Sequence, residues 1–158
     1  MLLADPTPEE AASMVAIQQL AACYAEAVSR GDVDEAVLVY ADDGVLRSPT
    51  TDDAVGHAAI AAVIKTATAD LEFVFQTVHT GLIAVSGDRA RARMPITEWA
   101  RRRDGAGLQF LGYYEDEVRR QPAGWRYTSR LLVPLTLGRH DHFKGRALPL
   151  DILPSLLS

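Results

Sequence analysis

The chain has 158 residues, a formal net charge of −5 and a sequence pI of about 5.3. That length can close one hydrophobic core as a single domain, and the acidic balance argues against nucleic acid or an anionic membrane as the main partner. A hydrophobic fraction of 48% fits an ordinary globular protein, and no apolar run approaches the ~18 residues that a membrane span needs.

The N-terminus, MLLADPTPEE, has no basic region and turns acidic by Asp5, so it does not read as a signal peptide. One cysteine, Cys23, cannot form an intrachain disulfide, and a reducing cytoplasm is the expected compartment. Cys23 itself is assigned to helix packing.

After a tail over residues 1–6, Thr7-Pro8-Glu9-Glu10 combines a cap, proline at the first helical position and glutamate at the third. The predicted helix runs to Arg30 with Met14, Ile17, Leu20 or Ala21, Tyr24 and Val28 on its apolar stripe. Gly31 stops it. Asp32 can cap a second short helix, with Glu35 completing a capping box and Val33, Ala36, Val37 and Tyr40 on its apolar side. Asp42-Asp43-Gly44 is turn chemistry, Val45 to Ser48 a short strand ended by Pro49, and Thr51 to Val55 a polar loop. Gly56 to about Thr68 predicts a third helix with Ile60, Val63 and Ile64 inward and His57 exposed at its first turn.

From Leu71 the period changes to two, giving four extended segments: Leu71 to Val85, Ala90 to Arg103, Leu108 to Gln121 and Trp125 to Leu137. Helices first and an antiparallel meander after is an α+β pattern. Alternation then sorts the faces. Ala92, Met94, Ile96 and Glu98 share one face of the second segment, so an acid continues an apolar row, while Arg91, Arg93, Thr97 and Trp99 share the other. Phe110, Gly112, Tyr114 and Asp116 share a face of the third, and Phe73, Phe75 and His79 a face of the first. If these rows line one concavity, an apolar, aromatic-walled pocket receives an imidazole, carboxylates and phenols, the composition of a small-molecule site.

The run from Tyr24 through Ala27, Gly31, Asp32 and Asp34, then Ala41-Asp42-Asp43 and a strand closed by Ser48-Pro49, resembles the nuclear transport factor 2-like superfamily, and in particular its SnoaL-like branch. The resemblance implies a cone-shaped α+β barrel: three N-terminal helices packed on a strongly curved, mainly antiparallel sheet. That superfamily includes ketosteroid isomerase, scytalone dehydratase and SnoaL-like polyketide cyclases. Against ketosteroid isomerase, Tyr24 matches the phenol of the oxyanion hole, but the base is replaced by Ser48. Against scytalone dehydratase, Thr77-Val78-His79 matches the segment carrying one catalytic histidine, and Ile96 stands where the second would be. Its pocket serine and asparagine fall on Gly112 and Tyr114, and an acidic residue falls on Ser29. Trp125, Tyr127 and Arg130 resemble the SnoaL-like branch.

A neutral imidazole can accept a proton, and a carboxyl among apolar atoms has its pKa raised until it can donate one. The expectation is therefore general acid–base chemistry, with no cofactor and no metal, on a hydrophobic oxygenated small molecule. His79 is the expected base and Glu98 or Asp116 the acid. Tyr24 and Ser48 are expected to hydrogen-bond a substrate oxygen, with Phe73, Phe75, Met94, Ile96, Phe110 and Tyr114 in the pocket wall. Structural readings stand beside these: Glu98 can pair with Arg130 or with an arginine of the 101–103 run, Tyr24 can be core packing, and Asp116 a surface ion-pair partner. Arg101-Arg102-Arg103 reads as a solvated hairpin tip, and His140-Asp141-His142 lacks a further ligand cluster for a metal. The apolar extension over 138–158 is expected to cover the pocket mouth or a second subunit. A lyase, cyclase or isomerase is one functional class; a ligand- or partner-binding protein, with Trp99 in a dimer interface, is the other.

Overall fold

A computed structural model describes residues 4–139. The metal reading of His140-Asp141-His142 and the covering role of the chain beyond Arg139 lie outside the described residues.

Helix α1 spans Pro8–Arg30, and its first turn is closed reciprocally: Thr7 Oγ1 accepts from Glu10 N–H while Glu10 Oε2 accepts from Thr7 N–H. Gly31, at φ +73°, ends it in the left-handed conformation that glycine adopts without a Cβ penalty. Ile17, Ala21, Tyr24, Ala27 and Val28 are buried along one face, and full burial of a side chain such as Ile17 contributes about 2 kcal/mol. Cys23 lies on the opposite, exposed face, which corrects its assignment to packing. Helix α2 spans Val33–Val37, with Asp32 Oδ1 accepting from Glu35 N–H; Tyr40 is not on it but opens the next strand.

Strand β1 spans Tyr40–Ser48 and β2 spans Thr51–Val55, so the expected polar loop is a strand, paired antiparallel with β1. Asp42-Asp43-Gly44 is part of β1, at an irregularity between Tyr40 and Val45 rather than in a free turn. Helix α3 spans Gly56–Thr68. Its His57 is half-buried, and the ring Nε2–H donates to the Tyr40 carbonyl at 3.0 Å, so the expected exposure is also corrected.

Four long elements follow the predicted meander, with one addition. Strand β3 (Leu71–Val78) and β4 (Leu82–Ser86) divide the segment read as continuous. The chain breaks where Gly81 passes so close to β5 that a Cβ there would stand 2.1 Å from the Arg93 carbonyl oxygen. Then come β5 (Arg89–Arg102), β6 (Gly107–Gln121) and β7 (Gly124–Arg139).

The sheet order is β2-β1-β7-β6-β5-β3, with β4 also on β5. Every pairing is antiparallel except β1 with β7. The α+β class and the curved, mainly antiparallel sheet are as expected, but the seven strands do not close on themselves, so the architecture is an open cone rather than a barrel. Helix α1 packs on β3, β4 and β7, and α3 on β1, leaving a hollow between the helices and the inner face.

Candidate active site

The inner face is set by alternation along β5 and β6. Ala90, Ala92, Met94, Ile96, Glu98 and Ala100 point inward from β5, and Phe110, Gly112, Tyr114, Asp116 and Val118 from β6. Strand β7 changes phase within its length. Val118 pairs with Tyr127 but Glu117 pairs with Ser129, so Thr128 is the extra residue of a bulge, and Arg130 turns inward after Trp125 and Tyr127.

Between these rows and α1 and α3 lies a cavity of about 540 Å³, within the size range of small-molecule sites. Tyr24 and Val28 enter it from α1, Leu46 and Ser48 from β1, Val63 and Ala67 from α3. Gln76, Ile96, Glu98, Phe110, Tyr114 and Leu132 come from the sheet. The wall is thus mainly apolar, with one carboxyl, one amide, two phenols and the hydroxyls of Ser48 and of Thr50, Thr51, Thr66 and Thr68.

Glu98 is the ionisable group of this wall. Burial raises its carboxyl pKa, and a hydrogen bond from Gln76 works against that. Gln76 sits directly opposite on β3, and its Nε2 donates to Glu98 Oε2 at 3.0 Å. The same amide lies 3.2 Å from the Tyr114 hydroxyl. Its backbone N–H donates to Ser29 Oγ at 2.9 Å, and that hydroxyl donates to the Ala25 carbonyl at 2.7 Å. The C-terminal end of α1 therefore fixes the strand that fixes Glu98.

Behind the cavity is a buried ion pair. Arg130 Nε and Nη2 donate to the two oxygens of Asp116 at 2.8 and 2.9 Å, and neither side chain is exposed. Burial raises the Asp116 pKa, opposed by the charge and hydrogen bonds of Arg130. The guanidinium carbon stands 4.6, 4.0 and 3.9 Å from the rings of Tyr24, Tyr114 and Tyr127. Tyr24 in turn meets Tyr40 and Tyr114 edge-on, with centroids 6.0 and 5.9 Å apart. Burial raises the pKa of Tyr24 and Tyr114, keeping both phenols protonated at neutral pH and able to donate.

Of the residues expected at the site, Tyr24, Glu98, Ser48, Ile96, Phe110 and Tyr114 line the cavity. His79 does not. It is exposed on the outer side, with its ring Nε2 2.9 Å from Thr97 Oγ1. Phe73, Phe75 and His79 do share a face, but it is the outer one: Val74 and Gln76 are the buried residues of β3. Met94 points inward as expected but is packed in the core at 1% exposure and does not reach the cavity. Asp116 is neither a surface partner nor a cavity acid, because Arg130 occupies both its oxygens beneath the wall. Glu98 pairs with neither Arg130 nor the 101–103 run; Arg101 and Arg102 bridge to Glu72 and Asp70. Gln76 was missed, although it is the lone polar residue of the Val74–Gln76–Val78 row. Tyr40 and Tyr127 were not placed around Arg130 either.

Residues 9–131 match the SnoaL-like domain family. The chain belongs to the SnoaL-like family. This SnoaL-like domain is similar in structure to a proposed aromatic ring hydroxylase from Novosphingobium aromaticivorans, with 27% identity, a TM-score of 0.77, and coverage of 85% of this chain and 96% of that one. A proposed scytalone dehydratase from the same organism has 16% identity and a TM-score of 0.76, over 83% and 89% of the two chains. The hexachlorocyclohexane dehydrochlorinase LinA-type3 from Novosphingobium barchaimii LL02 has 12% identity and a TM-score of 0.79, over 88% and 97%. The latter two establish shared fold alone. No curated protein matches the sequence. The family and the nuclear transport factor 2-like architecture are therefore those the sequence motifs resemble.

Proposed function

We propose that this SnoaL-like domain is a lyase or isomerase that moves a proton on an apolar, oxygenated small molecule, with Glu98 as the group that carries it. The observation behind this reading is a single carboxyl of raised pKa in an apolar cavity that also holds the Tyr24 phenol. The Glu98 carboxylate takes a proton from a carbon next to a carbonyl, and the electron pair moves onto the carbonyl oxygen. Tyr24 donates a hydrogen bond to that oxygen as its charge grows. Glu98–H then returns the proton, either to another carbon, which shifts a double bond, or to a departing hydroxyl, which leaves as water. Relatives of this fold named for dehydration and dehydrochlorination support elimination as the class.

A second reading, a ligand-binding protein without chemistry, is favoured by the Gln76 amide that already occupies one Glu98 oxygen. Exchange of carbon-bound hydrogen in deuterated water separates the two. With a panel of apolar cyclic ketones followed by NMR, the wild-type protein is expected to accelerate exchange, and Glu98→Gln to lose it by about 100-fold or more. Ketones that bind without any acceleration favour the binding protein.

We propose also that the protein is a homodimer. Phe75, 43% exposed, and Leu111 stand on the outer face of the sheet, where Phe75 is paired with Trp99. Analytical ultracentrifugation tests this: a monomer at all concentrations overturns it.

A further inference from the structure

On the outer face of the sheet, far from the cavity wall, an alternating ion-pair ladder runs across β5 and β6 and then fails. Arg93 pairs with Glu115, and Arg91 with Glu117 at 3.6 Å, each directly opposite the other in register. The next rung should be another such pair but is Arg89 opposite Arg119. Arg126 stands opposite Arg119 on β7, and Ser86 opposite Arg89 on β4. Three guanidiniums and a hydroxyl therefore occupy one row across four adjacent strands, spaced by about 4.8 Å per strand.

Like charges directly opposite on a sheet are destabilising, and little compensates them here. Arg89 has no hydrogen bond or ion pair among the described residues. Its sequence neighbour Asp88 pairs with Arg120 instead. Arg119 reaches only Asp43, at 3.5 Å, whose side chain is 77% exposed. Arg126 bonds the Trp125 carbonyl through Nη1. Beside the row is a hollow of about 420 Å³, whose wall includes Ser86, Arg89, Arg91, Arg119 and the Glu117 carboxylate that pairs with Arg91, but not Arg126.

We propose that this row binds a small organic phosphate monoester, with its phosphate between Arg89 and Arg119 and its organic part in the hollow. A dianion with three equivalent oxygens matches two guanidinium forks placed opposite each other in register better than a singly charged carboxylate does. The hollow is concave and small, which suits a metabolite-sized ligand rather than an acidic protein surface.

Phenyl phosphate, inorganic phosphate, phenol and a polyglutamate peptide are the probes, titrated calorimetrically at low ionic strength, where exposed charges are least screened. Phenyl phosphate is expected to bind one site per chain, more tightly than inorganic phosphate, with phenol not bound. Arg89→Ser and Arg119→Ser should each weaken it at least tenfold. Arg89→Glu should abolish it while raising the melting temperature without ligand, because it completes the ion-pair ladder. Glu98→Gln should bind phenyl phosphate as the wild type does. Absent or multiple-site binding, equal binding by the serine variants, inorganic phosphate binding as tightly as the ester, or the peptide binding where the ester does not would each overturn the proposal.

Discussion

Gln76 and Glu98 face each other across β3 and β5, and the Gln76 amide holds Glu98 Oε2 at 3.0 Å. That bond favours the charged carboxylate, whereas burial favours the neutral acid, and burial is the larger effect. The result is a carboxyl whose pKa is raised above its ordinary value, as suits a proton carrier.

Glu98→Gln should remove the proton carrier while keeping the cavity's shape. Turnover should fall by about 10² to 10⁴, with ligand affinity changed far less. The same substitution has a stability signature. Glu98 holds its proton to higher pH in the folded chain than in the unfolded one, so its contribution is most favourable below the ordinary carboxylate range. It is lost progressively as pH rises through the raised folded pKa. Urea denaturation should therefore show the variant gaining on the wild type as pH rises across that window, and level above it.

Gln76→Leu should move the acid limb of the kcat/KM profile to higher pH, because the bond that favours the carboxylate is gone. A profile unchanged in position would mean that Gln76 does not tune Glu98.

His79→Ala should be nearly silent. The ring is exposed and bonded to Thr97 on the outer face, so stability should change by about 0.5 kcal/mol or less, with activity and its pH profile retained.

Removing one partner of the buried pair should be costly. Arg130→Leu leaves the buried Asp116 carboxyl without a partner and takes the cation from beside three tyrosine rings. A loss of about 4 kcal/mol is expected. Asp116→Leu combined with Arg130→Met should lose much less, as chemical denaturation of the three proteins would show.

The particular elements that the sequence made legible were those in which one pattern had one meaning. Thr7, Pro8 and Glu10 mark a helix start that nothing contradicts, and the β5 and β6 rows alternate cleanly enough to bring Glu98 and Tyr114 to the same side. Strand β3 is different because both its faces are apolar: Phe73 and Phe75 on one, Val74 and Val78 on the other. Hydrophobicity alone cannot choose its phase. What chooses it is tertiary, the Ser29 hydroxyl on the Gln76 backbone and the pairing with Glu98. Expecting His79 in the cavity followed from taking the aromatic face as the inner one; the ring is exposed on the outer face. The Asp116–Arg130 pair was hidden for another reason. A one-residue bulge at Thr128 inverts the alternation after Tyr127, and no periodicity reports a bulge in advance. Asp116 then found a partner that the unbroken pattern would have placed outside.

A carbon-13 NMR titration of the side-chain carboxyls tests the central claim most directly, with Glu98→Gln to assign the signal. One glutamate resonance should inflect above the ordinary value of about 4.3, vanish in Glu98→Gln and shift when an apolar ketone is added. If every glutamate titrates in the ordinary range, or the raised signal survives Glu98→Gln, then Glu98 is not the buried proton carrier.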